Sequence, residues 1–132
     1  LVKNGELKEL FLDTYNSNIL KIKNNNRSGG STNLFFENGN IPFQDMVKNQ
    51  KKAIYITDLI GRGSDTITGD YSVGASGIII ENGEFTLPVN EITIAGNLLE
   101  MYSNLFLADD LELLYSTNAP TILIEQMTIA GK

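Results

Sequence analysis

Carboxylates are the side chains most capable of chemistry in this sequence, and they concentrate in the segment 61–91. Five acids lie there: Asp65, Asp70, Glu81, Glu84 and Glu91. Paired carboxylates can act as general acid and base, or can bind a hard cation through oxygen. The run SDTITGD lacks the repeated ligands and terminal glutamate of an EF-hand loop. The sequence therefore favours Asp65 and Asp70 as acceptors of backbone or hydroxyl hydrogen bonds in turns.

One arginine and several glycines accompany these acids. The guanidinium of Arg62 is able to hold a peptide carboxylate in two hydrogen bonds, although an ion pair with Asp65 or Asp70 is the favoured interpretation. The glycines, at 61, 63, 69, 74 and 77, match neither phosphate-binding spacing. Positive φ angles, tight turns or close backbone contacts explain such glycines, and direct peptide contact is the second interpretation.

Nucleophilic catalysis finds no support in the sequence. The serines at 64, 72 and 76 lie among glycines without the GxSxG pattern, and the chain contains neither histidine nor cysteine. A serine hydrolase site is thus excluded from this segment, and no residue is predicted to be catalytic or to bind metal. The candidate residues for a peptide groove or a structural loop are Arg62, Asp65, Thr68, Gly69, Asp70, Tyr71, Ser72 and Gly74.

Antiparallel strands are predicted to position these residues. Asn-Gly pairs at 4–5, 38–39 and 82–83 favour tight hairpins beside apolar runs. The predicted strands span 6–12, 33–37, 53–57, 77–81, 84–87, 91–94 and 121–125, and the predicted helices span 14–22, 43–52 and 97–106. The fold class is therefore α+β, predominantly antiparallel, with a sandwich or barrel-like sheet and two or three short helices.

Two apolar features leave alternatives open. The helix predicted over 97–106 has an apolar stripe that suits either a partner surface or packing on the sheet, which is favoured. Phe35, Phe36 and Tyr71 suit either a groove or, as the favoured interpretation, the core.

Composition limits the classes of protein and partner. The 132 residues are enough for one domain, and Leu1 is followed by no signal-peptide pattern. No apolar run approaches the ~20 residues of a membrane span. The net charge of −6 disfavours nucleic acid, and the absence of cysteine makes the cytoplasm the default location.

The order of several short motifs is more specific than any of them alone. TGDYS at 68–72 precedes GASG at 74–77, IENGE at 80–84 and PVNEITIAGNL at 88–98. This block resembles the C-terminal region of the PmbA/TldD family, and the PmbA (TldE) branch is the closer match. LKELFLDTYNSN at 7–18 and APTILIEQMTIAGK at 119–132 extend the resemblance over most of the chain.

The resemblance implies that residues 1–132 form a single C-terminal domain and that the N-terminal part of the parent protein is absent. The family is similar to a two-part metalloprotease in which a TldD-type subunit supplies an HExxxH zinc helix and a cysteine ligand. The PmbA-type partner lacks them, so zinc is expected only in the TldD-like subunit. This domain would help to wall a chamber for unfolded or short peptides and offer strand edges to them.

Other readings of the resemblance remain open. An HExxxH motif in the absent half would make the parent protein a peptidase by itself, and a homo-oligomer is a further option. The alternative from another class is a binding or assembly module that modulates a protein such as DNA gyrase.

Overall fold

The computed structural model describes residues 1–131, which form two compact units. One unit contains Leu1–Phe35 and Leu114–Asn118, and the other contains Phe36–Leu113 and the residues from Ala119 onward. In chain order the elements are β1 (Val2–Lys3), β2 (Glu6–Leu7), α1 (Thr14–Leu20), β3 (Leu34–Phe35), α2 (Phe43–Lys48), β4 (Lys52–Ile60), β5 (Asp70–Glu81), β6 (Glu84–Asn97), α3 (Leu98–Ser103), β7 (Leu105–Leu107), β8 (Thr117–Asn118), β9 (Ile122–Ile124) and β10 (Thr128–Ala130).

The predicted α+β class with mostly antiparallel strands and short helices is confirmed. The larger unit holds a four-stranded antiparallel sheet in the order β10-β6-β5-β4. Within residues 1–131 this sheet is open, with β4 and β10 as its edges, and it does not close on itself. None of the helices in the same range is long and apolar enough to cross a membrane.

The smaller unit begins with a hairpin. Asn4 and Gly5 take φ angles of 52° and 75°, which turn β1 into β2 as the Asn-Gly pair predicted. The strand predicted over 6–12 ends at Leu7, and α1 follows with the Asp13 carboxylate accepting from the backbone N–H of Asn16 at 2.7 Å. The strand predicted over 33–37 is reduced to β3, which pairs in parallel with β8.

The long hairpin of β5 and β6 is the centre of the larger unit. Asn82 and Gly83 form its turn with φ angles of 52° and 82°, as predicted. The two strands predicted over 84–87 and 91–94 are one continuous strand of 14 residues. Register shifts in the β5–β6 pairing accommodate Pro88 and the left-handed Glu91, whose φ is 56°. The gap predicted between these two strands is thus a bulged region of one strand.

The core of the larger unit lies on one face of this sheet. Val73, Ala75, Ile92 and Ile94 are buried there, and Met127 packs against them. On the other face Tyr55 makes edge-to-face contacts with Phe43 and Phe85, with ring centroids 5.8 and 5.6 Å apart. Alternation of side chains along the strands explains the two apolar faces.

All three helix predictions are too long, since the one over 14–22 already ends at Leu20, and one turn prediction is wrong. The helix predicted over 43–52 ends at Lys48 because Lys52 already begins β4, and the one over 97–106 ends at Ser103 before β7. Asn38 and Gly39 form no hairpin. A Cβ atom at Gly39 would lie 1.8 Å from the carbonyl oxygen of Leu107, so this pair marks a backbone crossing.

Candidate functional site

Residues 61–69, here called the glycine loop, connect β4 to β5 and fold back on the start of β5. The backbone N–H of Asp65 donates to the carbonyl of Asp70 at 2.8 Å, and that of Gly69 donates to Asp65 at 2.9 Å. The N–H of Ser72 donates to the carbonyl of Gly63 at 2.7 Å. These bonds join part of the loop backbone to the loop itself and to β5.

Asp65 in the loop and Asp70 at the start of β5 are both occupied by local hydrogen bonds. The Oδ1 atom of Asp65 accepts from the backbone N–H groups of Ile67 at 2.7 Å and Thr68 at 3.2 Å. These two donors, Ile67 first, lower the pKa of the exposed Asp65 carboxyl below its ordinary value. Asp70 accepts from the hydroxyl of Thr68 at 3.0 Å. The turn interpretation of both acids is therefore the one the geometry supports.

The end of the loop is also bonded to the start of α3. The side-chain amide of Asn97 donates to the carbonyl of Thr68 at 3.2 Å, and its Oδ1 accepts from the N–H of Leu99 at 3.1 Å. The N–H of Leu98 donates to the carbonyl of Gly69, which has a φ of 80°. Asn97 is thus the predicted helix cap and also a link between loop and helix.

The glycines serve close backbone contacts. A Cβ atom at Gly63 would lie 2.0 Å from the carbonyl oxygen of Ser72, and one at Gly77 would lie 2.2 Å from that of Tyr55. Gly74, like Gly77, is inside β5, where a Cβ would come 3.4 Å from the side chain of Ile60. At Gly63 and Gly77 neighbouring backbone occupies the space that a side chain would need, and at Gly74 the side chain of Ile60 borders it.

Tyr71 and Ser72 belong to β5 rather than to a loop. Tyr71 packs against the buried core, as the favoured interpretation held, and this burial raises the pKa of its phenol. The same interpretation is wrong for Phe35 and Phe36, which are both exposed. Ser72 is exposed on the strand. Along β5 these two side chains point to opposite faces of the sheet, so they do not form one groove wall with Gly74.

The favoured interpretation of Arg62, an ion pair with a neighbouring aspartate, is wrong. Its side chain is exposed, and the ion pair with Asp65 or Asp70 is not formed in the part of the chain that the structure describes. The guanidinium is exposed to solvent near the end of β4.

The donor atoms do not suit zinc. The sequence has no histidine or cysteine, and residues 1–131 contain no group of three or more acids placed to hold a metal ion. Asp65 and Asp70 direct carboxylate oxygens to donors of their own loop. The residues present therefore do not fit a catalytic zinc centre, which needs a set of nitrogen, sulfur or carboxylate ligands around one point.

The apolar stripe of α3 divides between two environments. Leu98 and Met101 are half-buried, while Leu99 and Tyr102 leave 75% and 62% of their surface exposed. Packing on the sheet, the favoured interpretation, describes the first pair. The second pair forms an exposed face on the helix.

A cavity that no motif indicated lies at the edge of the sheet. It has a volume of about 250 Å³ and is bounded by α2, by residues 53–56 of β4 and by residues 121–123 at β9. Phe43, Met46 and Val47 make its α2 wall. We call this cavity the β4–β9 slot. Its sequence signal is the apolar spacing of α2 and the β-branched strand KAIYI, which predicted elements but not the space between them.

Comparisons with known proteins indicate one family over the whole described chain. The family model for the PmbA/TldA metallopeptidase C-terminal domain matches residues 1–131. Metalloprotease PmbA of Escherichia coli O157:H7 is 37% identical over 133 residues, covering 100% of this chain and 30% of that protein. A metalloprotease TldD homolog of Buchnera aphidicola is 26% identical over 125 residues, covering 86% of this chain and 26% of the homolog.

Solved structures are also similar to this chain over almost its whole length. A protein from Bacteroides thetaiotaomicron assigned as a modulator of DNA gyrase has a TM-score of 0.88 at 30% identity, covering 99% of this chain and 30% of its own. TldE from Thermococcus kodakarensis has a TM-score of 0.77 at 25% identity, covering 99% and 33%. The chain spans about a third or less of the length of these proteins. As the motifs of segment 68–98 predicted, the chain belongs to the PmbA/TldD family, as a PmbA/TldA metallopeptidase C-terminal domain.

Proposed function

We propose that the protein carrying this chain is the subunit without zinc in a TldD-type metalloprotease that cleaves unfolded or short peptides. The similarity pattern carries this proposal. The PmbA relative is 37% identical over the full chain, whereas the TldD homolog is 26% identical over 86% of it. The chain thus stands nearer to the PmbA branch, for which the family resemblance implies no zinc ligands.

The chemistry of the side chains supports this division of labour. Zinc in peptidases is bound mostly by imidazole, carboxylate or thiolate, and a general base must lie beside it. This chain has no histidine or cysteine, and the loop acids Asp65 and Asp70 are already hydrogen-bonded locally. Zinc and the general base are therefore assigned to a TldD-like partner, with which this subunit forms a heterodimer.

The role proposed for this domain is architectural. Its sheet has unpaired edges, and strand edges recognise extended peptides through backbone hydrogen bonds. Such recognition selects an extended conformation more than a sequence, which suits unfolded substrates. We assign the pair to the cytoplasm, because a chain without cysteine forms no disulfide bonds and suits a reducing compartment.

Cleavage of a fluorogenic peptide tests the proposal. The full-length protein is assayed alone and mixed with an HExxxH-containing homologue from the same cell, with and without chelator. Cleavage is expected in the mixture, at a rate well above that of either protein alone, and chelator should abolish it. Full activity of this protein alone would show instead that its own N-terminal part holds the metal centre.

A binding module is the second candidate, and the descriptions of two similar structures favour it. Proteins from Bacteroides thetaiotaomicron and Thermotoga maritima, both assigned as modulators of DNA gyrase, have TM-scores of 0.88 and 0.85 to this chain. The net charge of −6 suits a basic protein target. This candidate predicts binding to the target without cleavage in any mixture, so the same assay with a pull-down separates the two.

A further inference from the structure

The chain contains three Asn-Gly pairs, and the fold gives them different surroundings. They lie at residues 4–5, 38–39 and 82–83. Such a pair can react with itself, because the backbone nitrogen of the glycine, once a base has taken its proton, can attack the Cγ atom of the asparagine. Glycine permits this approach, since it has no Cβ atom and adopts many backbone conformations. The three pairs therefore compare one reaction in three environments.

The pair at Asn38 is held at both reacting groups. The Nδ2 atom of Asn38 donates to the carbonyl of Asp109 at 3.0 Å, and its Oδ1 atom accepts from the N–H of Leu111 at 3.0 Å. The N–H of Gly39 donates to the carbonyl of Ala108 at 2.8 Å. Attack at Cγ requires these hydrogen bonds to break, so the reaction needs a local opening of the structure.

The pair at Asn82 is held at the attacking nitrogen. The N–H of Gly83 donates to the carbonyl of Gln50 at 2.8 Å, and that of Asn82 donates to Lys51 at 3.0 Å. A Cβ atom at Gly83 would lie 2.7 Å from the carbonyl oxygen of Lys48, so the turn packs against the end of α2. This turn also joins the two longest strands, β5 and β6. Movement of the Gly83 nitrogen toward Cγ is therefore opposed by the central sheet.

The pair at Asn4 has neither kind of support within residues 1–131. Asn4 and Gly5 are exposed, and no hydrogen bond of the Gly5 N–H or of the Asn4 side chain is seen in that range. The strands that they join, β1 and β2, have two residues each, and beyond them the N–H groups of Lys8 and Glu9 share the carbonyl of Leu1. A two-stranded hairpin of this length is marginally stable by itself, so it opens readily.

We propose that Asn4 is a site of spontaneous deamidation to aspartate and isoaspartate, and that the fold protects the other two pairs. A bond from the Gly5 nitrogen to Cγ of Asn4 forms as the bond from Cγ to Nδ2 breaks, and ammonia leaves with the proton. Water then opens the resulting succinimide. Opening at Cγ gives aspartate, and opening at the backbone carbonyl carbon gives isoaspartate. Water enters and ammonia leaves, so the step needs no oxidant, reductant or cofactor.

Both products change the β1–β2 hairpin. Each adds one negative charge to a chain whose net charge is −6. Isoaspartate also carries the main chain through Cβ and Cγ, which inserts one atom into the turn. Asn4 and Gly5 form this turn alone, with φ angles of 52° and 75°, so the register of β1 with β2 depends on its length. We expect isoaspartate to unpair the two strands. This inference is independent of the proposed protease role.

Peptide mapping of the full-length protein by mass spectrometry tests the site. The protein is aged in mildly alkaline buffer, either folded or in guanidinium chloride, and digested under acidic conditions that stop the reaction. The rate in denaturant is that of the open pair, so the ratio of folded to unfolded rates isolates the effect of structure. We expect this ratio to lie within about threefold of one at Asn4, and to be at least about tenfold lower at Asn38 and Asn82.

Two variants separate the products and their effects. Asn4→Gln keeps an amide but needs a larger ring that forms more slowly, so the modified hairpin peptide should disappear while the rates at Asn38 and Asn82 are unchanged. Asn4→Asp supplies the charge without the added backbone atom. Hydrogen–deuterium exchange in residues 2–7 should therefore become faster in the aged wild type than in fresh N4D, in proportion to the isoaspartate formed.

Two outcomes would overturn the inference. One is a ratio at Asn4 as low as that at Asn82, which would mean that the hairpin is held closed in the full-length protein. The other is reaction of the folded protein at Asn38 or Asn82 as fast as at Asn4, which would mean that their hydrogen bonds give no protection.

Discussion

The glycine loop and the β4–β9 slot adjoin the same sheet, but they differ in how far their backbone groups are hydrogen-bonded. In the loop, the backbone N–H groups of Asp65 and Gly69 and the Asp65 carboxylate are bonded locally, and the carbonyl of Thr68 accepts from Asn97. In the slot, the outer backbone groups of β4 have no strand beside them in residues 1–131. The glycine loop, which is the richer of the two in polar and charged side chains, is thus also the one with more internal hydrogen bonds.

This difference teaches how to weigh two kinds of sequence signal. A high density of glycine and aspartate indicates a chain that must approach itself closely and satisfy itself locally. A binding surface built from strand edges has no such composition, because its hydrogen-bonding groups belong to the backbone. We therefore expect substitutions in the loop to destabilise the fold more than substitutions in the lining of the slot.

The largest expected effect is at Gly63, where any side chain meets backbone. A Cβ atom would lie 2.0 Å from the carbonyl oxygen of Ser72, so Gly63→Ala must displace the loop from β5. The free energy of unfolding should fall by roughly 2–4 kcal/mol. Urea titration followed by circular dichroism measures it. Gly29→Ala is the control, because nothing lies within 4 Å of that position and its φ is not positive.

A smaller loss is expected from Asn97→Ala. This change removes the cap on α3 and the hydrogen bond to the carbonyl of Thr68. The unfolding free energy should fall by about 1–2 kcal/mol, a typical cost for a lost cap and bond. Asn90→Ala is the control, because no side-chain hydrogen bond of Asn90 is seen in residues 1–131. Equal stability of the two variants would contradict the link between loop and helix.

In the slot, Ala53→Phe should have the opposite sign. The added ring fills part of a cavity of about 250 Å³, so the unfolding free energy should stay level or rise by about 0.5–1 kcal/mol. Ala130→Phe, on an exposed edge strand, should change it less. A loss of several kcal/mol in A53F would show that the slot is already well packed, and the contrast with the loop would disappear.

The smallest effect is the pH dependence of Asp65. Its pKa in the folded state lies below the ordinary value of 3.8 because the N–H groups of Ile67 and Thr68 favour the charged form. Its contribution to stability is therefore present above pH about 4 and is lost as the pH falls through the folded pKa. In melting curves between about pH 5 and 3, Asp65→Asn should lose less stability than the wild type. Identical curves would contradict this.

The sequence predicted the fold where a local pattern decides the structure. Asn82-Gly83 specified its hairpin and Asn97 its helix cap, because turn and cap geometries depend on a few adjacent residues. The same dipeptide failed at Asn38-Gly39, where a crossing with Leu107 requires the glycine. Leu105 and Phe106 fitted a helical period but form β7, because pairing with distant β9 overrides local preference.

For the candidate site residues too, local interactions were predictable and contacts between distant segments were not. The hydrogen bonds of Asp65 and Asp70 were predictable from turn chemistry, whereas the exposure of Arg62, which forms no ion pair within residues 1–131, was not. The slot could not be predicted, because it exists only where residues 53–56 and 121–123 come together from distant parts of the chain.

Steady-state cleavage by the reconstituted pair tests the central claim most directly, namely that the protein carrying this chain is the subunit without zinc of a two-part metalloprotease. The value of kcat/KM for a fluorogenic peptide is measured for the full-length protein, for the HExxxH homologue and for their mixture, with and without chelator. The account predicts a value for the mixture at least about tenfold above that of either protein alone, and its loss when chelator is added. Full cleavage by this protein alone would contradict it.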